Sequence, residues 1–180
     1  MENVNIYKMN IRTVKEYLYD LVLYPINVCL LEEYKGGSSI ILIKSSEYSN
    51  TGHYVLLYYA NNIYNYVDPY GNKPLKLFLK YDDTIYDRQY KGLQNIINTI
   101  KDHKYIDINY KKTQTDSSLC GILCILYFYL LYNHFTIDQI NKLFDNFKFH
   151  YKITVEDYLE KDQSLNNFKK LIKLLFNNKR

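Results

Sequence analysis

His53, Asp68, Gln114 and Cys120 follow one another along the chain, and together they are the residue types that thiol-based acyl transfer requires. A thiol attacks a carbonyl carbon well only as the thiolate, so it needs a neighbouring base and a third group that orients the base. The oxyanion that forms must meet donors already in place. These demands assign Cys120 as nucleophile, His53 as base, Asp68 as orienting carboxylate and Gln114 as oxyanion donor. The chemistry so defined is hydrolysis of a peptide or related acyl bond through a covalent intermediate.

Local sequence adds to each assignment. Asp116, Ser117 and Ser118 are good N-cap types just ahead of the apolar run Leu119 to Tyr132, which places Cys120 in the first turn of a helix. Free backbone N–H groups and the helix dipole favour an anion there, an environment that activates thiols. Gly121 lets substrate and backbone approach the sulfur closely. Cys124, deeper in the same run, reads as a small core hydrophobe. Asp68 closes a β-like run 15 residues after His53, a separation that one hairpin can fold back. Taken singly, these are a core cysteine, a surface histidine, a turn aspartate and a turn-capping glutamine. His103, His134 and His150 lack comparable neighbours, so the ordered set carries the assignment.

Positioning these side chains takes a sheet and a buried helix. Residues 14–23 have helical character that closes at Tyr24-Pro25, and 26–32 read as a short strand. A turn at Gly36-Gly37 precedes the β-branched run 39–43, typical of a buried strand. Residues 54–59 and 63–67 read as strands joined by a hairpin turn at Asn61-Asn62. Pro69, Gly71 and Pro74 then break regularity, which leaves Asp68 at a strand end. Leu93, Ile96, Ile97 and Ile100 recur at helical spacing within 87–101, and the alternation in 105–110 predicts another strand. Helices are predicted over 120–132, 136–144 and 164–176, the last with Leu165, Phe168, Leu171, Ile172 and Leu175 on one stripe. The expected architecture is α+β, in a single domain covering 1–180.

Composition narrows the setting. A hydrophobic share of 47% and a charged share of 23% over 180 residues suit one globular domain. The 22 tyrosines, with no Trp and heavy use of Asn, Ile and Lys, match AT-rich codons better than a tyrosine-specific function. The net charge of +4 comes from dispersed lysines, so weak nucleic-acid contact is open and a solvated face is the default. Three cysteines make no disulfide framework, and no basic, apolar, small-residue leader is visible; a reducing intracellular setting and no secretion are expected. The run Leu119 to Tyr132 is too short to span a bilayer, so no membrane association is expected; the chain is expected to be a monomer.

The ordered set resembles the adenain-like and SUMO-protease-like cysteine peptidases, whose chain order is His, then Asp or Glu, then Gln, then Cys-Gly. The resemblance covers residues 40–131. Gly52-His53-Tyr54-Val55 is similar to the family's His-aromatic strand, with Tyr54 where Trp is usual. Asp68-Pro69-Tyr70-Gly71 is similar to the acidic-Pro-aromatic-Gly segment of the adenovirus protease, with Asp in place of Glu. Gln114 precedes Cys120 by six residues, as in the SUMO-protease branch, and Cys120-Gly121-Ile122-Leu123-Cys124 resembles the family's helix start.

The resemblance implies an α+β papain-like sandwich with permuted, adenain-like order, the helix bearing Cys120 packed on a mixed sheet bearing His53 and Asp68. It implies an oxyanion hole made by the Gln114 side chain and the Cys120 backbone N–H. Gly52, Tyr54 and Gly121 would then face the substrate, Tyr54 as an aromatic wall. Relatives cleave after glycine, and with the small size and AT-rich bias the resemblance implies a viral or virophage-type endopeptidase maturing capsid or other virion precursor proteins in the host cytoplasm or virus factory, or inside the virion. No counterpart of the cysteine that tethers adenain's peptide cofactor is visible, and no cofactor or metal is expected. Two alternatives share the order. An isopeptidase for ubiquitin or a ubiquitin-like modifier needs an exosite for a folded modifier. A Yop-type acetyltransferase needs an acetyl-coenzyme A site and clustered basic residues, against which the dispersed lysines speak.

Overall fold

The computed structural model describes residues 10–21, 26–44, 46–48, 52–71, 83–114 and 119–177. Its strands form one sheet in sequence order: β1 (Asn27–Leu30), β2 (Ser39–Lys44), β3 (Gly52–Ala60), β4 (Ile63–Val67) and β5 (Tyr105–Asn109). The outer pairs β1·β2 and β4·β5 are parallel and the inner pairs antiparallel, so the sheet is mixed. The helices are α1 (Ile11–Leu21), α2 (Asp83–His103), α3 (Cys120–Tyr132), α4 (Ile137–Tyr151), α5 (Val155–Lys161) and α6 (Leu165–Asn177). The fold is α+β, with five strands and six α-helices among the described residues.

Alternation along the strands sorts the core into two layers. Ile41, Ile43, Val55 and Leu57 face Leu93 and Ile97 of α2. Ile40, Leu42, Tyr54 and Leu56 point the other way, into a larger core built on α3 and closed by α1, α4, α5 and α6. This explains why α3 is apolar on every side: it is buried by the sheet beneath and by helices around it. Among the described residues no single helix is long and apolar enough to cross a membrane.

The β3–β4 hairpin turns at Asn61 and Asn62, with φ of 52° and 63°. Two consecutive left-handed residues match the twist of the flanking strands, and Asn tolerates that conformation better than most residues. Val67 of β4 pairs with Leu56 of β3 and with Asn109 of β5. The chain therefore leaves β4 at Asp68, leaves β5 after Asn109 and enters β3 at Gly52-His53, all at one end of the sheet. That convergence builds the site.

Several elements differ from the sequence expectation. The first strand stops at Leu30, because Leu31–Glu33 form a 3-10 turn in which a Glu33 carboxylate oxygen accepts from the Leu30 N–H at 3.1 Å. Thr136 opens α4 as expected, accepting from the Gln139 N–H, but the helix continues to Tyr151 because Phe147 joins the core. The seven-residue α5, capped by Thr154, is too short to show periodicity and was not expected. The predicted end of α1 at Tyr24-Pro25, and Pro74, lie outside the described residues.

Candidate active site

The turn after β4 organises the site. His53 and Asp68 are both buried, and the His53 Nε2–H donates to Asp68 Oδ1 at 2.8 Å. The same carboxylate oxygen accepts the Tyr70 backbone N–H at 2.9 Å, and the Asp68 carbonyl accepts the Gly71 N–H at 2.8 Å. An Asp bonded to the main chain two residues on has little freedom to turn away. Gly71 sits at φ 71°, and a Cβ there would come within 3.1 Å of the Tyr110 carbonyl oxygen and 3.2 Å of the Lys112 nitrogen. The missing side chain lets the segment leaving β5 run alongside the turn.

That segment delivers Gln114. The Pro69 carbonyl accepts from both the Thr113 N–H, at 2.9 Å, and the Gln114 N–H, at 2.8 Å. The Gln114 side chain is fully buried, and its Nε2 donates to Tyr70 Oη at 3.3 Å. The Tyr70 ring in turn packs on the His53 imidazole, with centroids 4.8 Å apart and planes tilted by 34°. One tetrapeptide, Asp68 to Gly71, therefore touches the base and the amide donor together.

Cys120 is the first residue of α3. The helix cap is Leu119, which makes no side-chain cap bond, while the expected caps Asp116, Ser117 and Ser118 lie outside the described residues. The N–H groups of a first helical turn have no intrahelical acceptor, and a helix start favours an anion. Its sulfur lies 3.9 Å from the Gly52 carbonyl oxygen, which brings it to the mouth of β3.

Two opposing influences act on His53. Burial, the largest, pulls its pKa down; the Asp68 charge and hydrogen bond raise it, and a hydrogen bond and charge from Cys120 add to that. The outcome is a pKa pushed up to about 10, so the imidazole holds its proton at neutral pH. With Nε2 committed to Asp68, Nδ1 is the ring nitrogen left for proton exchange with a nucleophile. The other thiols differ. Burial pushes Cys124 well up, and its sulfur donates to the Tyr54 carbonyl at 3.4 Å. Burial also raises Cys29, which sits in the α2-side core.

The structure thus brings His53, Asp68, Gln114 and Cys120 to one sheet end. The residues expected to face substrate are placed differently. Tyr54 is only 1% exposed and belongs to the core between the sheet and α3, so its ring forms no open wall. Strand alternation requires this: Tyr54 shares a face with Leu56, which packs on α3. A Cβ at Gly52 would lie 2.0 Å from the Ile43 carbonyl oxygen, so contact with β2 demands glycine there. Gly121 is buried within the first turn of α3. Tyr70 was missed as a site residue. Its signal was present in the Asp-Pro-aromatic-Gly tetrapeptide, where it follows Asp68 by two positions.

Comparison with family models, with curated proteins and with solved structures finds no match to this chain. The functional reading therefore rests on the geometry of the site.

Proposed function

We propose that this protein is a cysteine endopeptidase of the adenain-like, papain-related type, with Cys120, His53 and Asp68 as its triad. The observation that carries the reading is the buried 2.8 Å bond from His53 to Asp68, set at the sheet end where α3 presents Cys120. A buried histidine held protonated beside a helix-start thiol is the arrangement that a thiolate–imidazolium nucleophile needs.

In this reading the Cys120 sulfur donates its electron pair to the scissile carbonyl carbon, and the carbonyl pair moves onto oxygen. The Cys120 N–H and a Gln114 amide N–H receive that oxyanion. As the C–N bond breaks, His53 gives its Nδ1 proton to the leaving amine and leaves an acyl thioester on Cys120. Water then attacks the thioester, His53 takes a proton from it, and collapse releases the carboxylate product and the thiolate. Asp68 fixes the ring throughout by its bond to Nε2. Cleavage after small residues, glycine above all, and virion precursor proteins as substrates follow from the family resemblance.

Acyl-enzyme formation tests the chemistry without a known substrate. p-Nitrophenyl acetate, a small activated ester, should acetylate Cys120 with a burst of p-nitrophenolate and then turn over. Cys120→Ala should show neither. A wild-type protein that acetylates no faster than Cys120→Ala would refute the assignment.

A further inference from the structure

Tyr70 makes three separate contacts with the candidate machinery, and no part of the triad scheme uses them. Its backbone N–H bonds to Asp68 Oδ1 at 2.9 Å. Its ring packs on the His53 imidazole at 4.8 Å. Its hydroxyl oxygen accepts from Gln114 Nε2 at 3.3 Å. The first contact would survive any substitution that keeps the backbone in place. The second needs only a ring. The third belongs to the hydroxyl alone.

The hydroxyl contact bears on a weakness of glutamine as an oxyanion donor. The terminal torsion of a Gln side chain is broad, so an amide not held from outside samples many orientations. A donor stabilises a transition state only if it already points at the place where charge develops. The Gln114 backbone is anchored through the Pro69 carbonyl, but that bond fixes the main chain and not the amide plane. The amide carries two N–H groups. When Tyr70 Oη takes one, the plane is set and the second points in a defined direction.

We propose that Tyr70 is a positioning residue: its hydroxyl orients the Gln114 amide for the oxyanion, while its ring keeps the His53 imidazole in place. The inference rests on the cysteine-hydrolase reading, with Gln114 as oxyanion donor. It makes Tyr70 the hinge between the two halves of the site, joining the base on β3 to the donor that follows β5. It also gives a reason for an aromatic with a hydroxyl at this position, where the ring contact alone would be met by Phe.

Tyr70→Phe removes the hydroxyl and keeps the ring. Two reactions of Cys120 separate its effects, each corrected for background with Cys120→Ala. Acetylation by p-nitrophenyl acetate forms an oxyanion: sulfur bonds to the acyl carbon and p-nitrophenolate leaves. Alkylation by iodoacetamide forms none: sulfur bonds to the methylene carbon and iodide leaves. Tyr70→Phe should acetylate roughly tenfold more slowly, a part of the 100- to 1,000-fold lost when an oxyanion donor is removed outright. It should alkylate at the wild-type rate. The double variant Tyr70→Phe/Gln114→Ala should acetylate no more slowly than Gln114→Ala, because the proposed effect of the hydroxyl runs through that amide. Wild-type acetylation by Tyr70→Phe would overturn the proposal, as would multiplying losses in the double variant. Equal falls in both reactions would also overturn it, since they mark general support of the thiol–imidazole pair. A wild-type protein that is not acetylated at Cys120 would instead bring down the hydrolase reading on which it rests.

Discussion

Asp68→Asn removes the charge that keeps His53 protonated and leaves the shape of the side chain nearly unchanged. In the wild type, burial draws the His53 pKa down, and Asp68 with Cys120 overrides it to about 10. Without the carboxylate charge, burial pulls the His53 pKa down. At pH 8 less of the imidazole then carries the proton that the leaving amine needs. The Asn amide adds a second fault, because its NH₂ turned toward Nε2 holds the proton on Nδ1, where a neutral ring cannot accept one from the thiol. Together these effects should lower kcat by about 100- to 10,000-fold, as wrong-tautomer variants of other triads do. Stability should follow the same proton. The His53 pKa is higher in the folded chain than in the unfolded one. Its contribution is therefore fully present below about pH 6.5 and is lost as pH rises through about 10. Asp68→Asn should thus cost about 1–3 kcal/mol at pH 6, and its deficit should shrink by pH 10.5. Peptide or ester turnover from pH 6 to 10.5, with urea unfolding at both ends, reads both effects. Wild-type kcat at pH 8, or a stability deficit as large at pH 10.5 as at pH 6, would refute the reasoning.

Limited iodoacetamide treatment followed by mass mapping should label Cys120 first, because burial raises the Cys29 and Cys124 thiols; faster labelling of either would move the nucleophile. Gln114→Ala should lower kcat by about 100- to 1,000-fold with little change in KM, and leave Cys120 alkylation unaffected. Parallel losses in turnover and alkylation would mean that Gln114 only supports the fold. Gly71→Ala should destabilise by about 1–2 kcal/mol, since φ of 71° is left-handed and its Cβ would press on the Tyr110 and Lys112 backbone. Because that strain lies where the β5 exit crosses the Asp68 turn, turnover should fall with it; unchanged stability would show that the crossing relaxes freely.

Much of this site was legible because its parts are local. The Asn61-Asn62 turn, the strand on each side and the apolar run of α3 each announce themselves in a few residues, and α3 has the bounds expected of it. The hairpin fixed how far Asp68 would return toward His53. Tertiary facts were less visible. Tyr54 reads as an aromatic next to the base, yet the pleat turns it into the core, and nothing in a single strand says which face α3 will cover. The resemblance turns Gly52 toward substrate, whereas the close Ile43 carbonyl accounts for a glycine there. The hold of Pro69 on Gln114, 45 residues on, and of Tyr70 on its amide, 44 residues on, joins segments through parallel strands β4 and β5. No local pattern encodes such a contact. The short α5 escaped because seven residues are too few for a periodic signal.

The most direct test of the central claim is digestion of a mixed peptide library at neutral pH by wild type and by Cys120→Ala, with new amino termini read by mass spectrometry. The wild type should generate new termini, predominantly after glycine, and Cys120→Ala should generate none. No cleavage by the wild type, or equal cleavage by both proteins, would contradict a cysteine endopeptidase built on Cys120, His53 and Asp68.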